Sequence, residues 1–375
     1  MNRDDERAEH TSYFYWIDVM RIMAILAVIL GHVSGVMLYK WGEVPLSHWM
    51  AANVADVYAR TGPPLFFMLS GYLLLRKREE TARVFFIKRL RRVFLPFVIW
   101  SLLYWLWSSL VQGRPVTFST LWEGVVEMMF FRPAYFHFWF FYPLFGLYLL
   151  TPLLRRWLSV ARRREVWYLV ALWFLLGPVA QLITLLLDRD PISLVDYRFT
   201  SNIILASLGY FLLGYLLGDI HYLPWHGGAA LLGVVGMVGV TAWGTYARSL
   251  RAGQVDLLLY DLYLPNTLLL TLSVFVVLKF IGDRLSGDRI GRIGRSVLRN
   301  LGASVFGVYL VHVMVLETLS NGVWGIKVSA PRLLYPYYTI PAYYSIPIVT
   351  VVVAVLSWLL VALLRRLPGL RVLMP

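Results

Sequence analysis

What most constrains this chain is a series of apolar runs, each long enough to cross a bilayer and separated from the next by a short polar loop. A helix needs about 20 apolar residues to span the hydrocarbon core. Ten stretches qualify, near 16–38, 54–75, 93–111, 137–154, 166–187, 199–218, 227–247, 263–281, 301–320 and 346–366. Hydrocarbon offers no partner to backbone N–H and C=O groups, so runs of this length can only be helices. The fold expected is therefore an all-α, polytopic transmembrane bundle of about ten spans. The first run has no small-residue cleavage site after it and exceeds the apolar part of a secretory signal, so it reads as a retained span. The second carries Pro63-Pro64, which should kink or break its outer end against protein or a water-filled cavity.

Lys and Arg set the orientation. Loops 76–92, 155–165 and 282–300 hold eight, five and five of them, and the segment from Arg365 adds three, whereas the alternate loops hold one or two each. By the positive-inside rule the rich loops and both termini are expected to be cytosolic. The net charge of +14 is thereby absorbed into topology, and nucleic acid is not an expected partner. Residues 1–375 read as one integral-membrane domain, with a polar segment 1–12 ahead of the first span and a cytosolic tail 367–375. The lack of cysteine excludes thiolate catalysis and cysteine-ligated metal.

Ionisable residues at membrane depth cost several kcal/mol unless they are paired or solvated. The first span contains three, Asp18, Arg21 and His32. At about 100° per residue, Arg21 and His32 fall within roughly 20° of each other and about 16 Å apart along the axis. Asp18, three residues before Arg21, has ion-pair spacing and lies on the same face. The bland reading makes Asp18 and Arg21 interface anchors and His32 a hydrogen-bonded packing residue. Elsewhere His312, in the phrase GVYLVHVMVLE, either orients a catalytic group or packs. His137 and Trp139 open the fourth span in an aromatic cluster, which is either an interfacial belt or a surface on which a sugar can stack. Lys88, Arg89, Arg91 and Arg92 are four cations in five residues, either topology signals or an anion site. No P-loop or dinucleotide fingerprint accompanies them.

Five phrases in this order, IDVMRIMAILAVILGH, PLFFMLSGYLLL, KRLRRVFLPF, HFWFFYPLFGLYLLTPLL and GVYLVH, resemble the acyltransferase 3 family of bacterial membrane O-acyltransferases over most of the chain. The resemblance implies an acyl-CoA donor, most often acetyl-CoA, and a hydroxyl acceptor on a cell-surface or exported glycan, at the bacterial plasma (inner) membrane. It places the family's motif arginine and histidine on Arg21 and His32. A hydroxyl needs a base to attack a thioester, and a neutral imidazole suits that task near pH 7. The expected catalytic set is His32 as general base with Asp18 and His312. An acyl-histidine intermediate is the less favoured variant. Arg21, Lys88, Arg89, Arg91, Arg92 and Ser70 are expected to bind the donor, and His137 and Trp139 the acceptor; no metal is expected. Ser70, Tyr309 and His312 are candidates to stabilise the oxyanion. A transporter or flippase of a lipid-linked or small anionic substrate is the alternative, because intramembrane Arg, Asp and His also mark ion-coupled pathways.

Overall fold

The computed structural model describes residues 14–76, 80–111, 117–130, 132–187, 201–285, 291–322, 327–329, 332–335, 340–367 and 369–374. The polar segment 1–12 lies outside the described residues. Among the described residues, eight helical stretches are long and apolar enough to cross a membrane: Tyr15–Leu38, Ala82–Ser109, Phe136–Leu158, Arg163–Leu186, Pro224–Ala252, Leu258–Arg284, Ile293–Asn321 and Ala342–Arg366. They account for eight of the ten expected spans, and the chain is an all-α polytopic bundle.

The two remaining runs are helical but divided or shorter. The run 54–75 is two helices, α2 (Leu46–Ala59) and α3 (Gly62–Leu75), which follow the first helix α1 (Tyr15–Leu38). The ladder is interrupted where Pro63 and Pro64 cannot donate, and Thr61 turns its hydroxyl back to the carbonyl of Tyr58 at 2.9 Å. The break faces α1, with Gly62 packed against Val28 and the carbonyl of Ala24. The other run ends in an apolar helix over Ile204–Leu217.

Between these, α4 (Ala82–Arg89) passes through a π-helical turn at Leu90–Phe94 into α5 (Leu95–Val111), and α6 (Phe118–Phe130) follows. A 3₁₀ turn at Phe136–Phe140 leads into α7 (Phe141–Leu158). Then come α8 (Arg163–Phe174), a second π turn (Leu175–Val179), α9 (Ala180–Leu186), α10 (Ser201–Leu217) and α11 (Pro224–Ala252). A 3₁₀ turn at Leu258–Tyr260 precedes α12 (Pro265–Arg284). Helix α13 (Arg292–Asn321), a two-stranded antiparallel pair (β1, Lys327–Ser329; β2, Arg332–Tyr335) and α14 (Ala342–Arg366) complete the chain.

Helix α1 is the axis of the bundle, packing against α2, α3, α12, α13 and α14. Half of its most apolar window is buried, against 17% for the spans Arg163–Leu186 and Pro224–Ala252. A span buried by its neighbours can carry polar groups, whereas one bathed in lipid cannot. Glycine makes the closest crossing. A Cβ on Gly71 of α3 would stand 1.8 Å from the carbonyl oxygen of Phe211, and one on Gly214 of α10 would stand 1.8 Å from that of Met68. The two backbones touch because neither residue has a side chain, the usual route to tight helix packing in a bilayer. At the end of the chain, the Trp100 indole donates to the carbonyl of Leu373 at 3.3 Å and Arg365 Nε to that of Met374 at 3.1 Å. These bonds dock the final turn, Leu370–Leu373, on α5 and α14.

Candidate active site

Helix α1 supplies both ends of the site. Near its start Asp18 is 2% exposed and accepts from Arg21 Nη1 at 3.4 Å. It packs against Gly302 of α13, where a Cβ would lie 2.4 Å from Asp18 Oδ1. Room for the carboxylate thus depends on the missing side chain. Asp18 stands with Arg21 and away from the histidines.

Three turns along α1, His32 meets two other histidines from distant parts of the chain. The His32 and His312 rings lie 5.3 Å apart and 29° from parallel; His137 is 5.3 Å from His312 and 6.3 Å from His32. His312 is fully buried, and its Nδ1 lies 2.7 Å from the carbonyl oxygen of Tyr309. Because a carbonyl only accepts, that contact places a proton on Nδ1 and leaves Nε2 of the neutral ring as a lone-pair acceptor. Nε2 is buried without a hydrogen-bond partner, as are both ring nitrogens of His137. Such groups carry a desolvation cost and are rare without a function. The Tyr309 hydroxyl donates to the carbonyl of His137 and so ties α13 to the 3₁₀ turn. Among the described residues, no group of three or more His, Asp or Glu is arranged to hold a metal ion.

Two cavities flank this axis. One, of about 310 Å³, is lined by Arg21, Ser70, Leu73, Val93, Leu144, Tyr148, Gly302 and Phe306, among others. The second, of about 130 Å³, is lined by Gly31, His32, Asp56, Arg60, Pro63, His137, Trp139 and Leu262, among others. Phe66, Phe140 and Tyr309 belong to both walls. The cavities therefore adjoin at an aromatic partition, with Arg21 lining one and His32 the other. His312 lines neither cavity and lies behind His32 and His137.

The sequence-predicted residues thus divide. His32, His137 and Trp139 share one cavity wall, and Arg21 and Ser70 share the other. His312 backs the first of these and Asp18 supports Arg21. The four-cation cluster separates. Lys88 pairs with Glu80 at 2.8 Å, and Glu80 also accepts from Arg155 at 3.3 Å. The hydrogen bond from Lys88 and the guanidinium of Arg155 hold the Glu80 carboxyl below the usual carboxylate range. Arg89 turns the other way, stacking on Phe85 at 5.0 Å and lying 5.8 Å from the ring of Tyr148, which lines the Arg21 cavity. Arg91 and Arg92, in the π turn, are exposed. Of the four, Arg89 is the one that approaches the cavity.

Two residues of the wall, Asp56 and Arg60, escape the reading of the sequence. The signal was there, an acid and a base four apart at helical ion-pair spacing inside or beside an apolar run. Glu317, further along α13 from His312, accepts from the Tyr135 hydroxyl and, at 3.1 Å, from the Trp107 indole.

No curated protein and no solved structure matches the chain. Residues 14–374 match the acyltransferase 3 family, described as an acyltransferase domain. With nearly the whole length matched, the chain belongs to that family and is a multi-pass membrane acyltransferase.

Proposed function

We propose that the protein transfers an acyl group, acetyl in the first instance, from cytosolic acyl-CoA to a hydroxyl of a cell-surface or exported glycan at the bacterial plasma membrane. The observation that carries this reading is the pair of cavities meeting at Phe66, Phe140 and Tyr309, with Arg21 lining one and His32 the other. The separation of Arg21 from His32, about 16 Å along α1, is comparable to the pantetheine arm of CoA. Anionic phosphates suit Arg21 and Arg89 at the mouth, because guanidinium offers paired donors to phosphate oxygens. The arm then lies along Leu73, Val93 and Leu144, a wall of suitable apolar character, with Ser70 as a hydrogen-bonding group beside it. This puts the thioester at the aromatic partition.

On the far side the cavity is close to the size that admits a six-membered ring, since about 150 Å³ accommodates benzene. Trp139 gives such a ring an aromatic face, and His137 lines the same wall. His32 takes the hydroxyl proton as the oxygen attacks the thioester carbonyl, then returns it to the leaving thiolate. His312, its proton fixed on Nδ1 by Tyr309, positions the neighbouring imidazoles. Asp18 holds Arg21 in place and acts on the donor end.

The test is to add acetyl-CoA labelled in the acetyl group to inverted membrane vesicles that contain the protein. Ester-linked label in a glycan supports the reading. Label accumulating in the lumen with its thioester intact would mean transport without chemistry and would sink it.

A further inference from the structure

Asp56 and Arg60 stand in the wall of the His32 cavity, yet the mechanism above gives them no task. Burying the Asp56 carboxylate costs desolvation, and the Arg60 side chain that pairs with it keeps 34% of its surface exposed, so packing alone is a poor reason to hold the pair there. Asp56 is 1% exposed; its Oδ2 accepts from Arg60 Nε at 3.0 Å and also from Nη2, and its Oδ1 accepts from Ser34 Oγ at 3.3 Å. Gly31 lets α2 pack close to α1 at this level, since a Cβ there would lie 3.1 Å from Ala59 Cβ. Ala59 meets Gly31 and Gly62 meets Val28, so Arg60 is level with His32 along α1. Its guanidinium lies 4.9 Å from the centre of the Tyr260 ring. The Tyr260 hydroxyl donates to Asn53 Oδ1 at 2.5 Å, and the Asn53 amide donates to the carbonyl of Ala242 at 2.8 Å. Carboxylate, aromatic face and anchored asparagine together fix the cation before any ligand arrives. Among the described residues that line that cavity, Arg60 is the one basic residue apart from the histidines.

We infer that Arg60 is a further catalytic residue, donating to the thioester carbonyl oxygen and carrying the negative charge that develops on it. The inference rests on the reading of acyl-CoA as donor. As the acceptor oxygen bonds to the carbonyl carbon, its proton passes to His32 and the π electrons move to the carbonyl oxygen, facing Arg60. When that pair returns, the carbon–sulfur bond breaks and the thiolate takes the proton from the imidazolium of His32, giving ester and CoA thiol. A donor fixed in advance where charge develops needs no reorganisation at the moment of reaction. Asp56 holds the guanidinium there and offsets its charge beside an imidazole that must become cationic.

The probe is the ketone analogue of acetyl-CoA, with CH₂ in place of sulfur and a ¹³C carbonyl, bound to the full chain in lipid nanodiscs. Infrared spectra of wild type, Arg60→Gln and Arg60→Lys are compared, together with CoA thiol release from acetyl-CoA. The carbonyl band of wild type should lie at lower frequency than that of Arg60→Gln, with Arg60→Lys between. Thiol release by Arg60→Gln should fall about 10²–10³-fold, while its affinity for the analogue changes little. If Arg60→Gln does not fold, the intermediate band of Arg60→Lys carries the same test. An unchanged band in the variants overturns the role of Arg60 and leaves the donor reading intact. If wild type itself does not bind the analogue, the donor reading fails and this one fails with it.

Discussion

At the residue scale, Arg21 gives the sharpest test of the donor end. A charge-assisted contact to phosphate contributes about 1.5–3 kcal/mol, so Arg21→Ala should weaken CoA binding by roughly 10- to 100-fold, read by calorimetry in nanodiscs. Arg21→Lys should restore part of the loss, because it keeps the charge and loses the fork. Unchanged CoA affinity with lowered thermal stability would make Arg21 an anchor. What the sequence showed at this scale follows from cost and spacing. Asp18, Arg21 and His32 lie on one helix, where angle and rise can be worked out from residue number alone. His137 and His312 were visible as buried histidines, but their meeting with His32 depends on how three separate elements pack. The Asp56–Arg60 pair was hidden for another reason. Opposite charges one turn apart cancel in the net charge of the run, and the many apolar residues around them outweigh the pair in its hydropathy.

At the element scale, close crossings and short ion-pair networks set the positions of the site helices. Gly71→Ala forces a methyl group into the backbone of α10 and should destabilise the bundle by about 1–3 kcal/mol or more. Gly35→Ala, on α1 with nothing within 4 Å of the new atom, should be neutral or slightly stabilising. Thermal unfolding in detergent separates the two, and equal midpoints would contradict the packing of α3 on α10. Glu80 links α4 to α7 through Lys88 and Arg155. Since the folded carboxyl titrates below its unfolded value, its stabilising contribution is complete above about pH 4.3 and disappears as pH falls through the lower folded value. Glu80→Gln should therefore be less stable than wild type at neutral pH, with the gap closing below about pH 4.3. A gap that is independent of pH would show that the carboxylate charge is not what matters. The same network explains why the run Lys88–Arg92 misleads as a sequence. Four cations in five residues suggest one patch, but a helical turn points successive side chains in different directions. Here Glu80 takes Lys88 and Tyr148 draws Arg89 towards the cavity.

For the whole molecule, the proposed use of a cytosolic donor and a far-side acceptor requires both termini to be cytosolic. The chain has no cysteine, so a single introduced thiol reports cleanly. Ser119→Cys and Ser329→Cys should react with an impermeant reagent outside the cell, and Ser159→Cys only after the membrane is opened. The reverse pattern would invert the bundle and move the donor to the wrong side. The bundle itself was legible because a bilayer allows few alternatives to long apolar helices. The division of 54–75 at Pro63-Pro64 was legible for the same reason as any proline break, the lost N–H. What no run of sequence displays is the pair of cavities, since Phe66, Phe140 and Tyr309 come from three elements and meet only in the packed protein. The most direct test of the central claim falls on His32, which the mechanism makes the base. His32→Gln keeps a hydrogen-bonding side chain but cannot take up a proton at neutral pH. Acyl transfer and CoA binding are measured together on the purified variant in nanodiscs. CoA binding should stay close to wild type while transfer falls about 10²–10⁴-fold, and transfer near the wild-type rate would show that His32 is not the base.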